Sequence, residues 1–284
     1  MKKIVTILLP TRAFSSPYLP LAYRSVLRQS SPHWSLVVIC EKSELREDFF
    51  AQMGCEDDSR VRCCKNRSTG VTSALNQGME MAETPFVCVL HDDDELAVEA
   101  VETLSRHIGA NPGFDYFHSA RRCIDEQGRF LTPVKRPKTS FLVEDFVSGG
   151  QVKHLHCWRV SKANEIGGMD ETFALHGADD YDFPWSMAEH GATFFPVPEC
   201  LYYYRDHRAA PRLTTHIPLS KQVEELRRIF LKHGVSDSEI EQQIKRRRAG
   251  YLQQALFSDP EEKERKENDP AFDSQLGWRD QNPG

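Results

Sequence analysis

Three consecutive aspartates, Asp92-Asp93-Asp94, follow an apolar run from Phe86 to Leu90. Such a run is typical of a strand that is buried on both faces of a sheet. Carboxylates crowded at the end of a strand repel one another, and a cation relieves that repulsion. Mg²⁺ and Mn²⁺ are commonly held by one or two carboxylates together with phosphate oxygens of a substrate. The cluster therefore favours a divalent metal that carries a diphosphate over a simple helix cap, which would need only one of the aspartates.

Strands and helices alternate around this cluster in the first half of the chain. The runs 4–9, 34–39 and 60–64 have the composition of strands. One helix is expected to begin at Ser16-Pro17, and another is expected to turn Val98 toward the core. The alternation predicts a doubly wound, largely parallel sheet with right-handed crossovers.

Polar residues follow the ends of three predicted strands, at Pro10-Thr11-Arg12, at Glu41 and at the three aspartates. In an open parallel sheet the carboxyl ends of the strands meet at one crevice, where ligands bind. Arg12 could offer planar donors to a base or a phosphate, or it could be a solvated loop arginine. Glu41 is open to the same two interpretations, as a ligand-binding or a surface residue.

The second half carries another acidic segment, Asp179-Asp180-Tyr181-Asp182, directly before an apolar helix. Aspartates in this position can simply cap the helix and pair with its dipole. Strands are predicted at 114–118, 152–160, 194–197 and 201–204, with a polar turn at 125–129. The segment 132–140 is rich in proline and lysine and is predicted to be a loop.

Composition excludes several classes of protein. The formal net charge of −6 argues against a general nucleic-acid binder. No apolar run approaches the length of a membrane span, and Pro10-Thr11-Arg12 follows the N-terminal apolar run where a secretory signal would have a cleavage site. The eight cysteines form no CxxC pair and no zinc spacing, so a reducing cytosol is the simplest compartment.

The composition changes from Pro218 onward, which predicts three regions: a main domain over 1–217, a helical extension over 218–257 and a disordered tail over 258–284. The first helix of the extension is expected to end at Gly234, and Ser236 is expected to cap the second. The second helix carries the basic run Lys245-Arg246-Arg247-Arg248. This run is either a solvated face or a contact with an anionic membrane surface or lipid-linked acceptor, at the inner face of the membrane.

The order of these signals over Lys3 to Arg208 resembles the inverting family-2 glycosyltransferases. That resemblance implies an α/β fold of the GT-A type, with one Rossmann-like, mostly parallel sheet and flanking helices. The segments that carry it are Ile7-Leu8-Leu9-Pro10-Thr11-Arg12, 21–29 with 34–39, 66–70 with Leu75-Asn76-Gln77-Gly78, 86–96, Gly167-Gly168-Met169-Asp170-Glu171, Asp179-Asp180-Tyr181-Asp182 and Tyr204-Arg205-Asp206-His207.

The resemblance assigns roles to single positions. Asp180 falls at the general base, and the positions implied for a divalent cation are Asp93, Asp94 and His207. The positions implied for the nucleotide sugar are Pro10, Thr11, Arg12, Glu41, Gly70 and Asp92. Two positions depart from the usual pattern. Cys40-Glu41 stands where many relatives have two aspartates, and His91 stands where many have an aspartate. His91 could be a metal ligand or a residue that donates a hydrogen bond to the metal ligands.

The implied reaction moves a sugar, with inversion, from a nucleotide-diphosphate sugar onto a hydroxyl of a saccharide or lipid-linked glycan. A UDP-sugar is the expected donor. The base takes the proton of the hydroxyl while its oxygen attacks the anomeric carbon, as water does in inverting hydrolysis. The acceptor side is expected to include His154, His156, Arg159, His176, Asp179 and Trp185, although a tryptophan is more often a core residue.

Three other functions use a similar set of residues. A sugar nucleotidyltransferase would be expected to show a glycine-rich, basic loop after the first strand, which the segment from Pro10 to Pro20 lacks. A non-catalytic nucleotide-sugar binding module would have no need of Asp180. A metal phosphohydrolase would cleave nucleotide sugars without an acceptor.

Overall fold

The computed structural model describes residues 3–41, 49–50, 58–173, 178–207 and 218–248. The chain divides into two compact units, Met1–Ala210 and Pro211–Gly284. The three regions expected from composition, with boundaries after 217 and 257, stay a prediction, and the tail over 258–284 lies outside the described residues.

Within the described part of the first unit, eight strands form one sheet in the order β3-β2-β1-β4-β7-β6-β8-β5. The strands are β1 (Val5–Thr11), β2 (Trp34–Cys40), β3 (Val61–Lys65), β4 (Phe86–Val89), β5 (Glu95–Leu96), β6 (Tyr116–Ile124), β7 (His156–Arg159) and β8 (Phe194–Arg205). The helices are α1 (Leu19–Leu27), α2 (Val71–Met81), α3 (Ala100–Ala110), α4 (Val160–Glu165) and α5 (Phe183–Glu189). A 3₁₀ helix spans Val143–Ser148, and a π-helical turn spans Ala178–Asp182.

Strands β1 to β4 are parallel and form the half of the sheet that the apolar runs predict. All residues of β1, β2 and β4 are buried. Val5, Ile7 and Leu9 pack with α1 and α3 on one face, whereas Leu8 packs with α2 and α5 on the other. Strands covered on both faces in this way are continuously apolar, because neither set of alternating side chains meets water.

The other half of the sheet is mixed. Strand β7 is antiparallel to both β4 and β6, and β8 runs parallel to β6. Instead of the two strands predicted at 194–197 and 201–204, β8 is one strand of 12 residues. Its pairing with β6 shifts register between Ser119 and Arg121, which are paired with Val197 and Tyr202. Such an irregularity bends a strand without ending it.

The two halves of the sheet bring polar and charged residues to one edge of it. Strands β1, β2 and β4 end at the same side of the sheet, and the three aspartates follow β4 directly. The short strand β5 then pairs antiparallel with β8, Glu95 with Tyr203. This pairing carries the C-terminal end of β8 back to the aspartates.

Two local expectations are wrong. Helix α1 begins at Leu19, with Pro20 in its first turn, so Ser16-Pro17 lie before the helix and do not start it. Val98 is 50% exposed because α3 begins only at Ala100, which leaves Val98 outside its apolar face.

In the second unit, α6 (Leu219–Lys232) and α7 (Asp237–Arg248) pack together, and Arg227 Nη1 lies 2.6 Å from Glu241 Oε1. Gly234, with φ of 70°, ends α6 as predicted, and Ser236, the predicted cap, directly precedes α7. Across the residues that the structure describes, none of the helices combines the length and the apolar character needed to cross a membrane. Contact of the run 245–248 with a membrane surface stays a prediction.

Candidate functional site

The three aspartates after β4 have three different sets of partners. Asp92 accepts a hydrogen bond from Thr11 Oγ1, at the end of β1, at 2.6 Å. Burial, followed by the charge of Asp93, raises the pKa of Asp92 to about 6. This contact ties together two of the strand ends that the sequence predicts at the crevice.

Asp94 points into the protein. Its residue is 2% exposed, and its carboxylate accepts hydrogen bonds from Tyr202 Oη at 2.7 Å and from the backbone N–H of Arg205 at 2.6 Å. Burial and the charge of Asp93 raise its pKa to about 7. Asp94 therefore anchors β8, and its predicted role as a cation ligand stays a prediction.

Asp93 lies beside His207. Its Oδ2 is 3.1 Å from His207 Nε2, and the Asp93 side chain is 27% exposed whereas the His207 side chain is fully buried. The ring of Tyr18 packs at 4.5 Å from the imidazole. Two of the three side chains predicted to bind a metal therefore lie side by side, and their binding of a metal stays a prediction.

A divalent cation can be tested against this donor set. No three His, Cys, Asp or Glu side chains in the described ranges group as a metal site. A carboxylate and an imidazole within 3.1 Å of each other nevertheless fit an open site, because Mg²⁺ and Mn²⁺ often complete their coordination with water and substrate phosphates. The pair fits a substrate-shared cation and not a closed structural one.

Arg205 holds the aspartate segment in place. Its side chain is fully buried and donates from Nε to the Asp93 carbonyl at 2.9 Å and from Nη1 to the Asp125 carbonyl at 2.8 Å. Its Nη2 pairs with the carboxylate of Glu95. A buried charge is tolerated when its donors are matched in this way.

His91 connects the two acidic segments. Its Nε2 lies 3.2 Å from Asp179 Oδ2, so the segment after β4 contacts the π-helical turn that carries Asp180. Burial opposes the positive charge, but the hydrogen bond and the charge of Asp179 outweigh it and raise the pKa of His91 to about 10. Asp179 is buried as well, yet its hydrogen bond with His91 lowers its pKa.

Asp180, the next residue along the chain, is influenced by a different set of charged groups. Burial, followed by the charge of Asp179, raises its pKa to about 6, while Lys153, His91 and Arg121 act in the opposite direction. A carboxyl with a pKa near neutrality suits a general base, because it is ionised at neutral pH and still takes up a proton readily.

The predicted nucleotide positions line the ends of β1 to β3. Arg12 Nε lies 3.8 Å from Glu41 Oε2, and the backbone N–H of Glu41 donates to the Thr11 carbonyl at 2.9 Å. The Arg12 side chain is 68% exposed and available to a ligand. Pro10 is a buried residue of β1, and Gly70 precedes α2 with a φ of 97°, which favours glycine.

Two histidines lie behind the acidic turn as neutral groups. His156 Nδ1 is 2.8 Å from Tyr116 Oη, and burial lowers the pKa of His156 to about 3. The ring of His154 packs against those of His91 and His156 at 5.5 and 4.4 Å, and burial lowers its pKa as well. His154 thus lies between His91 and His156, and both buried histidines are almost inaccessible to solvent, with 6% exposure for His154 and 2% for His156.

Two predicted acceptor residues, Arg159 and Trp185, do not lie at this cluster. Arg159 ends β7 beside Phe86, the first residue of β4, and binds Asp115 at 3.1 Å, so it lies at the opposite edge of the sheet. Trp185 is 2% exposed and stacks on Phe146, which makes it a core residue. His176 lies outside the described residues.

The sequence did not single out the roles of Tyr202 and Arg205. Both lie in the run Leu201-Tyr202-Tyr203-Tyr204-Arg205, which reads as a strand. An arginine at the end of such an aromatic strand is a weak signal for a buried charge, since nothing local shows that its partners lie 110 and 112 positions away.

Replacing Arg205 by glutamine should strongly destabilise the protein. The Arg205→Gln variant leaves Glu95 and several carbonyl groups without a buried donor, and breaking a buried pair from one side costs about 3–5 kcal/mol. Urea unfolding measures this loss. The control is Arg106→Gln, whose pair with Glu199 is at the surface with a side chain that is 59% exposed. It should cost less than about 1 kcal/mol. Equal losses in the two variants would contradict the structural role of Arg205.

Solved structures with a similar fold are those of S. aureus TarS. TarS 1–349 in complex with UDP-GlcNAc has a TM-score of 0.63 and 15% identity, covering 97% of this chain and 78% of that one. TarS 1–349 in complex with UDP has a TM-score of 0.61 and 16% identity, covering 98% and 78%. A longer TarS structure has a TM-score of 0.61 and 13% identity, covering 97% and 47%. At these identities the likeness concerns the fold, and it confirms the predicted GT-A type.

No curated protein sequence matches the chain. The family model described as Glycosyl transferase family 2 matches residues 6–161. This range contains Thr11, Glu41 and the three aspartates. Because it also spans more than half of the 284 residues, the chain belongs to glycosyl transferase family 2.

Proposed function

We propose that the protein transfers a sugar from a nucleotide-diphosphate sugar to an acceptor hydroxyl with inversion, and that Asp180 is the general base. The observation that carries the proposal is the contact between His91 and Asp179, 3.2 Å long. It brings the turn that contains Asp180 to the same edge of the sheet as Asp92 and Asp93. Membership of the family supports transferase chemistry at this edge.

The donor we propose is a UDP-sugar. Thr11, Arg12, Glu41 and Asp92 present hydrogen-bonding and charged groups at the ends of neighbouring strands, where nucleotides bind in open α/β sheets. TarS 1–349, which has a similar fold, has been crystallised with UDP-GlcNAc and with UDP. The donor assignment for this chain rests on that likeness and on the chemistry of the four residues.

We further propose that Asp93 and His207 hold a divalent cation together with the diphosphate. When bound, the cation would neutralise the negative charge on the departing nucleoside diphosphate. Asp92 and Thr11 would keep the Asp93 segment in place beside it. Arg205 would hold the backbone of Asp93 from behind, since it binds the Asp93 carbonyl.

On the other side of the sugar, Asp180 would accept the proton of the acceptor hydroxyl as its oxygen attacks the anomeric carbon. A single displacement from the face opposite the diphosphate inverts the configuration, as in inverting hydrolysis with an alcohol in place of water. His91 would hold Asp179 and so fix the turn. The acceptor we propose is a saccharide or a lipid-linked glycan.

Replacing Asp180 by asparagine should abolish transfer and leave UDP binding intact. Asparagine keeps the shape of the side chain but cannot take up the proton, and a general base contributes about 10²–10⁴-fold. Release of UDP in the presence of acceptor measures turnover, and calorimetry measures UDP binding. Asp58→Asn is the matched control, because Asp58 pairs with Arg60 just before β3, at the opposite edge of the sheet. Normal turnover by Asp180→Asn would rule out this assignment.

The transfer rate should fall in acid with an apparent pKa near 6. Burial and Asp179 raise the pKa of Asp180 to about 6, and the base works only when it is deprotonated. Below pH 6, kcat/KM should therefore drop about tenfold for each pH unit. The measurement is kcat/KM from pH 4.5 to 8 with a buffer series of constant ionic strength. A rate that stays level down to pH 4.5 would contradict the role of Asp180.

The affinity for UDP should depend on Mn²⁺ through Asp93. Asp93→Asn removes the carboxylate charge, so we expect at least a roughly tenfold loss of UDP affinity with Mn²⁺, and no further loss with EDTA. Calorimetric titration of UDP into both proteins, with Mn²⁺ and with EDTA, tests this without any turnover. If the variant and the parent respond to Mn²⁺ alike, Asp93 does not hold the cation.

A further inference from the structure

Four positively charged residues from three separate segments lie near one another, and two of them, Arg121 and Lys153, act on Asp180. We call Arg121, Lys135, Lys138 and Lys153 the basic cluster. Arg121 lies on β6, Lys135 and Lys138 lie in the proline- and lysine-rich loop 132–140, and Lys153 directly precedes the segment that leads into β7. The proposed transfer reaction has so far used none of these four residues for binding.

Specific contacts hold the loop against the sheet. The backbone N–H of Arg121 donates to the Lys135 carbonyl at 3.0 Å, and the N–H of Lys135 donates back to the Arg121 carbonyl at 2.8 Å. Lys138 Nζ donates to Gln151 Oε1, and Gln151 is itself buried, at 2% exposure. The loop is thus fastened both to β6 and to the segment before Lys153.

The charges of the basic cluster are not neutralised by direct ion pairs among the described residues. Within the described residues, none of its four members forms an ion pair with a carboxylate, although Asp180 attracts Lys153. Burial and the charges of Arg121, Lys135 and Lys138 lower the pKa of Lys153. Arg121 Nε is buried without a hydrogen-bond partner, while its guanidinium lies 4.9 Å from the ring centre of Tyr204. An unsatisfied buried donor among like charges is costly, and an anion that accepts its hydrogen bond would relieve that cost.

The cluster lies on the side of the site away from the nucleotide residues. Those residues follow β1, β2 and β4, whereas Arg121 and Lys153 belong to β6 and the approach to β7, across β4 in the sheet. Both charges act on Asp180. A Cβ atom placed on Gly150 would be 3.9 Å from the Asp180 carbonyl oxygen, so the segment before Lys153 runs directly past the proposed base.

We propose that the basic cluster binds a negatively charged group of the acceptor, a phosphate or a carboxylate that lies close to the attacking hydroxyl. Arginine and lysine donors together form strong charge-assisted hydrogen bonds with such groups. This inference rests on the proposed function, because it takes Asp180 as the base. It narrows the acceptor from any saccharide or lipid-linked glycan to an anionic one.

The test uses the full chain saturated with UDP and Mg²⁺, so that added anions cannot occupy the diphosphate position. Calorimetry or ligand-observed NMR compares glucose, glucuronate, glucose 6-phosphate and inorganic phosphate as probes. We expect the anionic probes to bind at least about tenfold more tightly than glucose, since the difference is one charge-assisted interaction. Equal binding of glucose and its two anionic counterparts would overturn the inference.

Variants test whether the preference for anionic probes over glucose depends on the basic cluster. Lys153→Gln and the double variant Lys135→Gln/Lys138→Gln should each reduce that preference about tenfold or more. Lys135→Gln alone changes an exposed lysine and keeps the bond between Lys138 and Gln151, so it guards against a folding defect in the other two variants. Lys162→Gln is the matched control, because Lys162 is also partly exposed but pairs with Glu165 on α4. A preference that survives in both cluster variants would also overturn the inference.

Two further measurements separate a failure of the inference from a failure of the proposed function and identify the source of the negative charge. UDP binding, measured first, tests the proposed function by itself, so a protein that binds UDP but shows no anion preference keeps that function and loses the inference. Vesicles of phosphatidylglycerol and phosphatidylcholine identify the source of the charge. Binding to phosphatidylglycerol that depends on Lys153 supports a lipid headgroup, and binding of the soluble sugar anions alone supports a free acceptor.

Discussion

The site depends on how the fold tolerates three adjacent carboxylates at the end of a buried strand. Each one is neutralised or hydrogen-bonded in a different direction: Asp92 toward Thr11, Asp93 toward His207, and Asp94 toward Tyr202 and the backbone of β8. Because like charges so close together resist ionisation, this separation of roles decides which carboxylate remains available to a ligand. Among the three, Asp93 is the one whose carboxylate lies beside an imidazole and whose side chain stays partly exposed.

The arrangement requires both halves of the sheet. The parallel half delivers Thr11, Glu41 and the aspartates to one edge, as α/β sheets generally do. In the mixed half, β8 pairs with β5, and this pairing places Arg205 and His207 beside the aspartates. Parallel strands alone would not place them there. The residues proposed to bind the nucleotide and the residues that support them therefore come from two different parts of the sheet.

Much of this could be predicted from the sequence. The continuous apolar runs identified β1, β2 and β4, and residue type together with family resemblance identified Asp93, His207 and Asp180 as candidates. The contacts of Arg205 with Glu95 and of His91 with Asp179 could not be predicted, because they join segments 110 and 88 positions apart through the pairing of strands. Trp185 and Arg159 were misplaced for a related reason, since an aromatic or basic side chain looks the same in sequence whether it lines a cleft or packs beneath it.

The irregular pairing of β8 with β6 limits where residues can be inserted into or deleted from this protein. Between Val197 and Tyr202, β8 contains more residues than the facing part of β6. The number of these extra residues determines which way the following side chains point, including those of Arg205 and His207. One residue more or fewer there would reverse the faces of the following side chains and turn the arginine away from the aspartates. Insertions are therefore much better accommodated in surface loops that make no contact with Arg205 than in this strand.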